Sequence, residues 1–100
     1  MSSAPQSCDD PEFVLIPERF AVQIGEQEVV VTRTQFRILA ILVAEPGHVF
    51  HRSELRIRGI GTLVTERTVD VHIKELRRKL GEHGVRIETV RGIGYRLRPH

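Results

Sequence analysis

The sequence predicts a small α+β domain in which short strands come first, three helices follow, and a β-hairpin closes the chain. Three observations carry this prediction. Short apolar runs separated by turn residues lie between residues 13 and 31. Residues 67–80 repeat apolar positions at helical spacing, and residues 85–98 alternate apolar and polar side chains around a turn with two glycines. A chain of 100 residues is long enough for one domain with a modest core.

The N-terminal third predicts a tail followed by strands. Residues 1–12 are rich in serine, proline and acidic side chains, so we expect a flexible tail or linker there, ahead of a domain that covers residues 13–98. Pro17 and Gly25 mark turns between three apolar runs, and the last two runs are expected to form a hairpin. These runs are the expected strands, at residues 13–16, 20–24 and 28–31.

Capping signals predict the first helix. Thr32 and Gln35 have the spacing of a capping box, so the helix is expected to run from residue 33 to about Glu45, where Pro46 and Gly47 end it. Its expected core positions are Phe36, Leu39, Ala40 and Val43.

Two shorter signals follow the first helix. Val49 and Phe50 allow a brief strand pairing. A short second helix is expected from Ser53 to about Arg58, before a break at residues 59–61. Thr65 is expected to be the N-cap of the third helix.

Residues 67–80 predict a strongly amphipathic third helix. At about 100° per residue, four side chains form an apolar stripe that we expect to face the core: Val69, Ile73, Leu76 and Leu80. The outward face, opposite the stripe, consists of Arg67, Val71, Lys74, Glu75 and Arg78. Such a face suits the DNA major groove, because cations meet phosphates, polar tips read base edges and a methyl group touches thymine. The alternative is a solvated surface helix, since charged faces are usually only solvated.

The last part of the chain predicts a hairpin with a basic tip. Gly81 stands where a C′ glycine would cap the third helix. Residues 85–90 and 95–98 alternate as strands do, and Arg-Gly-Ile-Gly at 91–94 is a turn, because glycine permits positive φ. Arg91 at the tip can reach a minor groove beside the third helix. An ordinary hairpin with Arg91 in solvent is the compatible alternative.

Three stretches of this sequence resemble a known family. Residues 67–73 (RTVDVHI), 76–80 (LRRKL) and 89–96 (TVRGIGYR) are similar to the winged-helix effector domain of two-component response regulators of the OmpR/PhoB type. The resemblance covers residues from about 13 to 98. It implies a winged helix-turn-helix with an N-terminal antiparallel sheet, a three-helix core and a C-terminal hairpin wing, with the third helix in the major groove and the wing in the minor groove.

The resemblance also assigns DNA contacts to positions of this sequence. Positions that contact phosphates in the family match Arg67, Thr68, His72, Lys74 and Arg77. Positions that face base edges match Asp70, Val71 and Glu75. Wing positions match Thr89 and Arg91, with Arg91 entering the minor groove. Arg78 is added because it lies on the outward face.

Two acidic residues of the third helix leave alternatives open. Glu75 stands where some relatives carry arginine. It can accept a hydrogen bond from cytosine N4, although it repels phosphate, or it can pair with Lys79 four residues later. Asp70 can similarly pair with Lys74 and orient it. His72 lies off the centre of the apolar stripe, which favours a phosphate donor or a solvated side chain over a metal ligand.

The segment between the second and third helices departs from the family pattern. Family members usually have a longer segment, often with a tryptophan near the end of the second helix, and this loop can contact RNA polymerase. The chain has no tryptophan, and residues 56–64 are short and rich in glycine, so that contact stays open. The resemblance further implies a receiver domain in the full-length protein, and the alternative of a free-standing regulator stays open. It also implies tandem half-sites about one helical turn apart, bound by two copies, and leaves a homodimer on DNA open.

Charge favours a nucleic-acid partner. Residues 1–51 carry three basic and seven acidic side chains, whereas residues 52–100 carry twelve basic and six acidic ones. The basic half is therefore expected to face a polyanion. A membrane surface ranks below DNA, because no basic face adjoins a broad aromatic and apolar face. The single cysteine, Cys8, excludes an internal disulfide and fits a reducing cytoplasm.

Catalytic and metal sites are not expected. The five histidines form no H-x-x-x-H pair, and the glycine pairs lack the strand-to-helix setting of a phosphate loop. We therefore expect no enzyme, no cofactor and no metal. The remaining alternative is a winged-helix protein-interaction module without DNA binding, which would present a larger apolar patch than Val71 on the outward face. We expect sequence-specific binding of double-stranded DNA by the effector domain of a cytoplasmic bacterial transcriptional regulator.

Overall fold

Two antiparallel sheets, each of three strands, lie around three helices in a computed structural model that describes residues 12–99. The α+β class and the element order agree with the prediction. Residues 1–11 of the expected tail, with Cys8, lie outside the described residues.

The N-terminal sheet has the strand order β1-β2-β3. Its strands are β1 (Phe13–Ile16), β2 (Ala21–Ile24) and β3 (Gln27–Val30). A 3-10 turn at Pro17–Arg19 joins the first two, and Phe20 leaves it with a φ of 47°. This left-handed residue cannot continue an extended strand, so β2 begins at Ala21, one residue later than predicted. The predicted hairpin of the last two strands is confirmed, with β3 beginning at Gln27.

Helix α1 (Arg33–Ala44) begins at the predicted capping box. Thr32 Oγ1 accepts a hydrogen bond from the Gln35 backbone N–H at 3.2 Å, and Gln35 Oε1 accepts one from the Thr32 N–H at 3.1 Å.

The predicted core face of α1 is partly wrong. Of the four expected residues only Leu39 is buried, and the other three are half-buried. The buried set is Gln35, Ile38, Leu39, Ile41 and Leu42. The helix packs against α2, α3 and β6, which selects this set from a nearly continuous apolar run. Phe36 and Val43 pack against this core from half-buried positions, and the Phe36 ring also lies edge-on to Phe20, with ring centroids 5.7 Å apart.

The helix-turn-helix follows a short strand, β4 (Phe50–His51). Helix α2 (Arg52–Gly59) is one residue longer at each end than predicted. The prediction of Thr65 as the N-cap of helix α3 (Arg67–Leu80) is wrong. Glu66 occupies the N-cap position, and no side chain caps the helix. Thr65 uses its carbonyl instead, accepting a hydrogen bond from the Thr68 N–H at 3.1 Å.

The C-terminal sheet has the order β4-β6-β5 and forms the wing. Gly81 caps α3 as predicted, with a φ of 60°, and a 3-10 segment then runs to Arg86. Strand β5 (Ile87–Val90) therefore begins two residues later than predicted, and strand β6 (Gly94–Leu97) pairs with it.

Of the two glycines in the predicted turn, only Gly92 has the positive φ that was expected. Gly92 has a φ of 79°, and the Ile93 N–H donates to the Val90 carbonyl at 2.9 Å. Gly94 instead belongs to β6, where a Cβ would collide with the Phe50 carbonyl of β4. The requirement for glycine at 94 is therefore set by the packing of β6 against β4, and not by a positive φ.

The core lies between the helices and both sheets. The apolar stripe of α3 is buried as predicted, with at most 1% of any of its four residues exposed. It packs in one cluster with Leu42, Leu55 and Phe50. Burial of this stripe fixes the rotation of α3, and the outward face follows from it.

Replacing Ile73 tests this rotation. Ile73→Ala removes a side chain that is 1% exposed, and we expect it to lower the free energy of unfolding by roughly 2–4 kcal/mol. Val71→Ala is the matched control on the outward face, where the side chain is 56% exposed, and should change stability by less than about 0.5 kcal/mol. Urea denaturation measures both variants. If the two variants were equally stable, the assignment of Ile73 to the buried face and Val71 to the outward face would be wrong.

Candidate nucleic-acid interface

The outward face of α3 is open to solvent. Arg67, Val71, Lys74 and Arg78 are exposed, and Glu75 is half-buried. Within residues 12–99, Arg67 and Lys74 make no ion pair and no side-chain hydrogen bond. Arg67 is the first residue of the helix, where the positive end of the helix dipole disfavours a cation. The presence of an arginine at position 67 is therefore not explained by the stability of the helix.

Glu75 pairs with Arg78 and not with Lys79. Arg78 Nη2 donates to Glu75 Oε1 at 2.7 Å, and this hydrogen bond lowers the pKa of Glu75 and raises that of Arg78. Lys79 lies on the side of α3 that faces α1, and its Nζ donates to Gln35 Oε1 at 2.9 Å. The alternative of pairing with Lys79 is not realised, because Lys79 donates to this acceptor on α1 instead. Base reading by Glu75 stays open, with Arg78 held beside it.

Asp70 turns towards α2 and the wing. Arg52 Nε and Nη2 donate to its two carboxylate oxygens at 3.1 and 2.6 Å, and the Tyr95 hydroxyl donates to Oδ1 at 2.6 Å. The alternative of pairing with Lys74 is not realised, because Asp70 pairs with Arg52, which offers a bidentate fork that a lysine cannot. Asp70 raises the pKa of Arg52, through the hydrogen bond first and the charge second. In the free protein both carboxylate oxygens are thus occupied.

Tyr95 joins this group from β6. It is 7% exposed, and its hydroxyl has the Asp70 carboxylate as acceptor. Burial, and then the hydrogen bond to the Asp70 anion, raise the pKa of Tyr95 to about 12. The guanidinium carbon of Arg77 lies 5.6 Å from the centroid of the same ring, which is within the range of a cation–π contact.

Arg77 reaches across to the wing. Its Nε and Nη2 donate to the Ile87 carbonyl at 3.0 and 2.6 Å, and Nη2 also donates to Thr89 Oγ1 at 2.8 Å. The expected phosphate contact would therefore depend on the remaining nitrogen, Nη1. Thr89 is exposed, with its hydroxyl accepting from Arg77.

The other predicted contacts lie at the edges of this surface. Arg91 is exposed at the wing tip and lines one recess with Asp70, which places the tip beside the N-terminal half of α3. Thr68 and His72 are half-buried on α3. Within residues 12–99, histidine, cysteine and acidic side chains do not gather in threes as a metal site requires.

Sequence reasoning missed the roles of Arg52 and Tyr95. Tyr95 lies inside a stretch that was singled out, but neither periodicity nor spacing relates it to Asp70, 25 residues away. Arg52 is 18 residues from Asp70. A basic residue at the start of α2 and an acid in the first turn of α3 were the only available signals. They become a pair only when the two helices pack.

Comparison with known proteins places the chain among transcriptional regulators. Residues 26–97 match the family model described as "Transcriptional regulatory protein, C terminal". The heme response regulator HssR of Staphylococcus haemolyticus is 39% identical over 90 residues, which are 86% of this chain and 40% of HssR. The phosphate regulon regulator PhoB of Escherichia coli is 38% identical over 87 residues, covering 83% of this chain and 38% of PhoB.

A solved structure agrees with the sequence relatives. The DNA-binding domain of the response regulator AdeR, in complex with an intercistronic region, superposes with a TM-score of 0.78 at 33% identity, covering 88% of this chain and 95% of that one. Among the described residues, no helix combines the length and apolar character needed to cross a membrane. The chain spans about 40% of the length of the curated relatives it matches.

Titration of the single tyrosine tests the geometry around Asp70. The chain has one tyrosine and no tryptophan, so phenolate absorbance reports on Tyr95 alone. We expect a midpoint at about pH 12 in the folded protein, well above the ordinary 10.0. Asp70→Asn should lower it, because the variant removes the anionic acceptor. A midpoint near the ordinary value in the folded wild type would contradict the buried hydrogen bond.

The same shift predicts a stability change at high pH. A pKa raised on folding adds stability that is complete below the unfolded value and is lost as the pH rises through the folded one. The free energy of unfolding should therefore fall between pH 10.0 and about 12. Tyr95→Phe is the control, since it removes this contribution and leaves the titration of the lysines. Its decline over the same range should be smaller, and an equal decline would contradict the assignment.

Proposed function

We propose a mode of DNA binding that starts from one premise: the chain belongs to the OmpR/PhoB-type family of transcriptional regulatory proteins, whose C-terminal domain residues 26–97 match. The chain is the DNA-binding effector domain of such a regulator and not an enzyme. Helix α3 enters the major groove, and the wing enters the neighbouring minor groove. The single observation that carries this proposal is the exposed outward face of α3, held opposite the buried apolar stripe.

Phosphate contacts fall to the cationic and polar side chains around the ends of this face. Arg67 and Lys74 are exposed cations without protein partners in the described part of the chain, and they are free to meet phosphates. Thr68 and His72 add hydrogen-bond donors from the flank of the same helix. Arg91 extends the basic surface from the wing tip.

Base reading falls to the middle of the outward face. Val71 is 56% exposed and presents methyl groups suited to thymine. Glu75 and Arg78 form the pair described above, which matches a C·G base pair: a glutamate accepts from cytosine N4 and an arginine donates to guanine O6 and N7. These three side chains are one or two turns apart on a single line of α3.

The full-length protein adds further partners. We propose that its remaining part contains a receiver domain, and that two copies bind tandem half-sites as a homodimer on cytoplasmic DNA. A contact with RNA polymerase would use the loop between α2 and α3. Leu63 is 99% exposed in that loop and is the side chain we assign to such a contact.

Selection of bound duplexes from a random DNA pool tests the proposal as a whole. Enrichment of repeated half-sites about one helical turn apart is the expected outcome. Recovery of unrelated sequences with no common motif would contradict sequence-specific binding. It would leave only general affinity for the phosphate backbone.

Lys74 provides the test of the phosphate contacts. Lys74→Ala should weaken binding to specific and random duplexes by similar factors and reduce the salt slope by about one unit. Arg37→Ala is the matched control, because Arg37 is an exposed cation on α1, away from the outward face. Its slope should equal that of the wild type. An unchanged slope with lost discrimination for Lys74→Ala would mean that Lys74 reads bases.

Arg91 provides the test of the wing. Arginine is attracted to narrow minor grooves, which are typically A·T-rich. Arg91→Ala should leave the fold intact, because an exposed turn residue adds little stability. It should weaken binding by about 1–3 kcal/mol on a duplex with an A·T-rich flank, and by less on a G·C-rich one. Equal losses on both flanks would make Arg91 a general phosphate contact, and no loss would give the wing a purely structural role.

A further inference from the structure

We infer that Asp70 and Arg77, with Arg52 and Tyr95, form a polar clamp that fixes the wing to α3. These four side chains then act on DNA as positioning residues, through Arg91, and not as base or phosphate contacts. This inference deepens the proposed function and rests on it for the contact of Arg91 with DNA.

The first half of the clamp joins three elements at Asp70. The carboxylate accepts three hydrogen bonds, from Arg52 on α2 and from Tyr95 on β6, at 2.6 to 3.1 Å. A carboxylate with both oxygens engaged has little capacity left for a cytosine amine. The Arg52 backbone also donates to the Ile93 carbonyl in the wing turn at 3.4 Å, so α2 holds both the helix and the turn.

The second half secures the free edge of the wing. Strand β5 is an edge strand, and the Arg98 N–H donates to the Arg86 carbonyl at 2.8 Å. Bonding alternates along an antiparallel pair, so the carbonyls of Ile87 and Thr89 point away from β6. The guanidinium of Arg77 donates two hydrogen bonds to the Ile87 carbonyl, which within residues 12–99 has no neighbouring strand on that side to donate to it. It therefore ties the open edge of β5 to α3.

Both halves meet at one cross-strand pair below the wing tip. Thr89 and Tyr95 are directly opposite in the β5-β6 register. Arg77 contacts both, through the Thr89 hydroxyl and the face of the Tyr95 ring, while Asp70 accepts from the Tyr95 hydroxyl. Arg91 follows Thr89 by two residues. The clamp therefore holds the base of a short hairpin, and the direction of its tip depends on that hold.

The ion pair of the clamp has little to add to global stability, whereas the Tyr95 ring belongs to the core and is kept in the variant tested below. The Arg52 and Asp70 side chains are 40% and 38% exposed, and ion pairs at such sites contribute little. Within its sheet, the hairpin of β5 and β6 pairs with just one further strand of the described chain, the two-residue β4, and its tip lies beyond the residues that pack in the core. Losing the clamp should therefore loosen the hairpin before it unfolds the domain.

A double-mutant cycle on DNA tests the inference. Tyr95→Phe keeps the ring and removes the hydroxyl donor, so the fold should be retained. On a duplex with an A·T-rich flank we expect Tyr95→Phe to lower the affinity of the wild type roughly three- to tenfold. In the Arg91→Ala variant the same substitution should lower affinity by less than about twofold. Lys74→Ala is the matched control, and its loss should add in full to that of Arg91→Ala. Full additivity of Tyr95→Phe with Arg91→Ala would overturn the inference.

Arg77 separates positioning from direct contact. If its guanidinium serves only the clamp, Arg77→Ala lowers affinity without changing the salt slope, whereas Lys74→Ala reduces the slope by about one unit. A slope reduced equally by both variants would make Arg77 a phosphate contact and overturn its place in the clamp.

Hydrogen exchange in the free domain keeps this test independent of the proposed DNA contact. The Ile93 amide closes the wing turn onto Val90, and its exchange should be several-fold faster in Tyr95→Phe than in the wild type. Unchanged exchange would overturn the clamp. If Arg91→Ala binds DNA like the wild type, the proposed minor-groove contact fails, while faster exchange at Ile93 would still support the clamp as the support of the wing.

Discussion

Burial of the apolar stripe of α3 is the constraint on which the interface depends, because it fixes the rotation of the helix that carries most of the side chains proposed to face DNA. The stripe repeats at steps of four, three and four residues, so any other rotation would place charges in the core. The same burial exposes Arg67, Val71 and Lys74 together. Burying the apolar stripe in the core therefore also exposes the basic face of this helix.

Rotation of α3 alone does not place the hairpin of β5 and β6, although its inward side chains share the core with the helices. Strand β4 contributes two residues to the C-terminal sheet, and β5 has a free edge. Hydrogen bonds between α3 and the hairpin add attachment that strand pairing with β4 does not provide, since Arg77 bonds to β5 and Asp70 bonds to Tyr95. Helix and hairpin can then approach neighbouring grooves as one unit, with less ordering left to occur on binding.

Sequence patterns predicted what is periodic or local, and they failed where distant elements choose among partners. The α3 stripe, the α1 capping box and the Gly92 turn follow from spacing that a few residues define. Partners across elements do not, because the Arg52 contact to Asp70 depends on how α2 packs against α3. The α1 core face was partly wrong for the same reason. Its apolar run allowed several stripes, and only packing selected one.

The acids on α3 show how a helix can carry negative charge next to a polyanion. An unpaired carboxylate on this face would repel phosphate, at a distance where screening is weak. Asp70 is matched by Arg52 at 2.6 Å and Glu75 by Arg78 at 2.7 Å, so each acid is offset by an arginine beside it. Arg67 and Lys74 have no such partner among the described residues, and they are the cations that we propose to contact phosphate. Under the proposed function, this pairing lets Asp70 support the wing and Glu75 take part in base reading, while the face as a whole stays cationic.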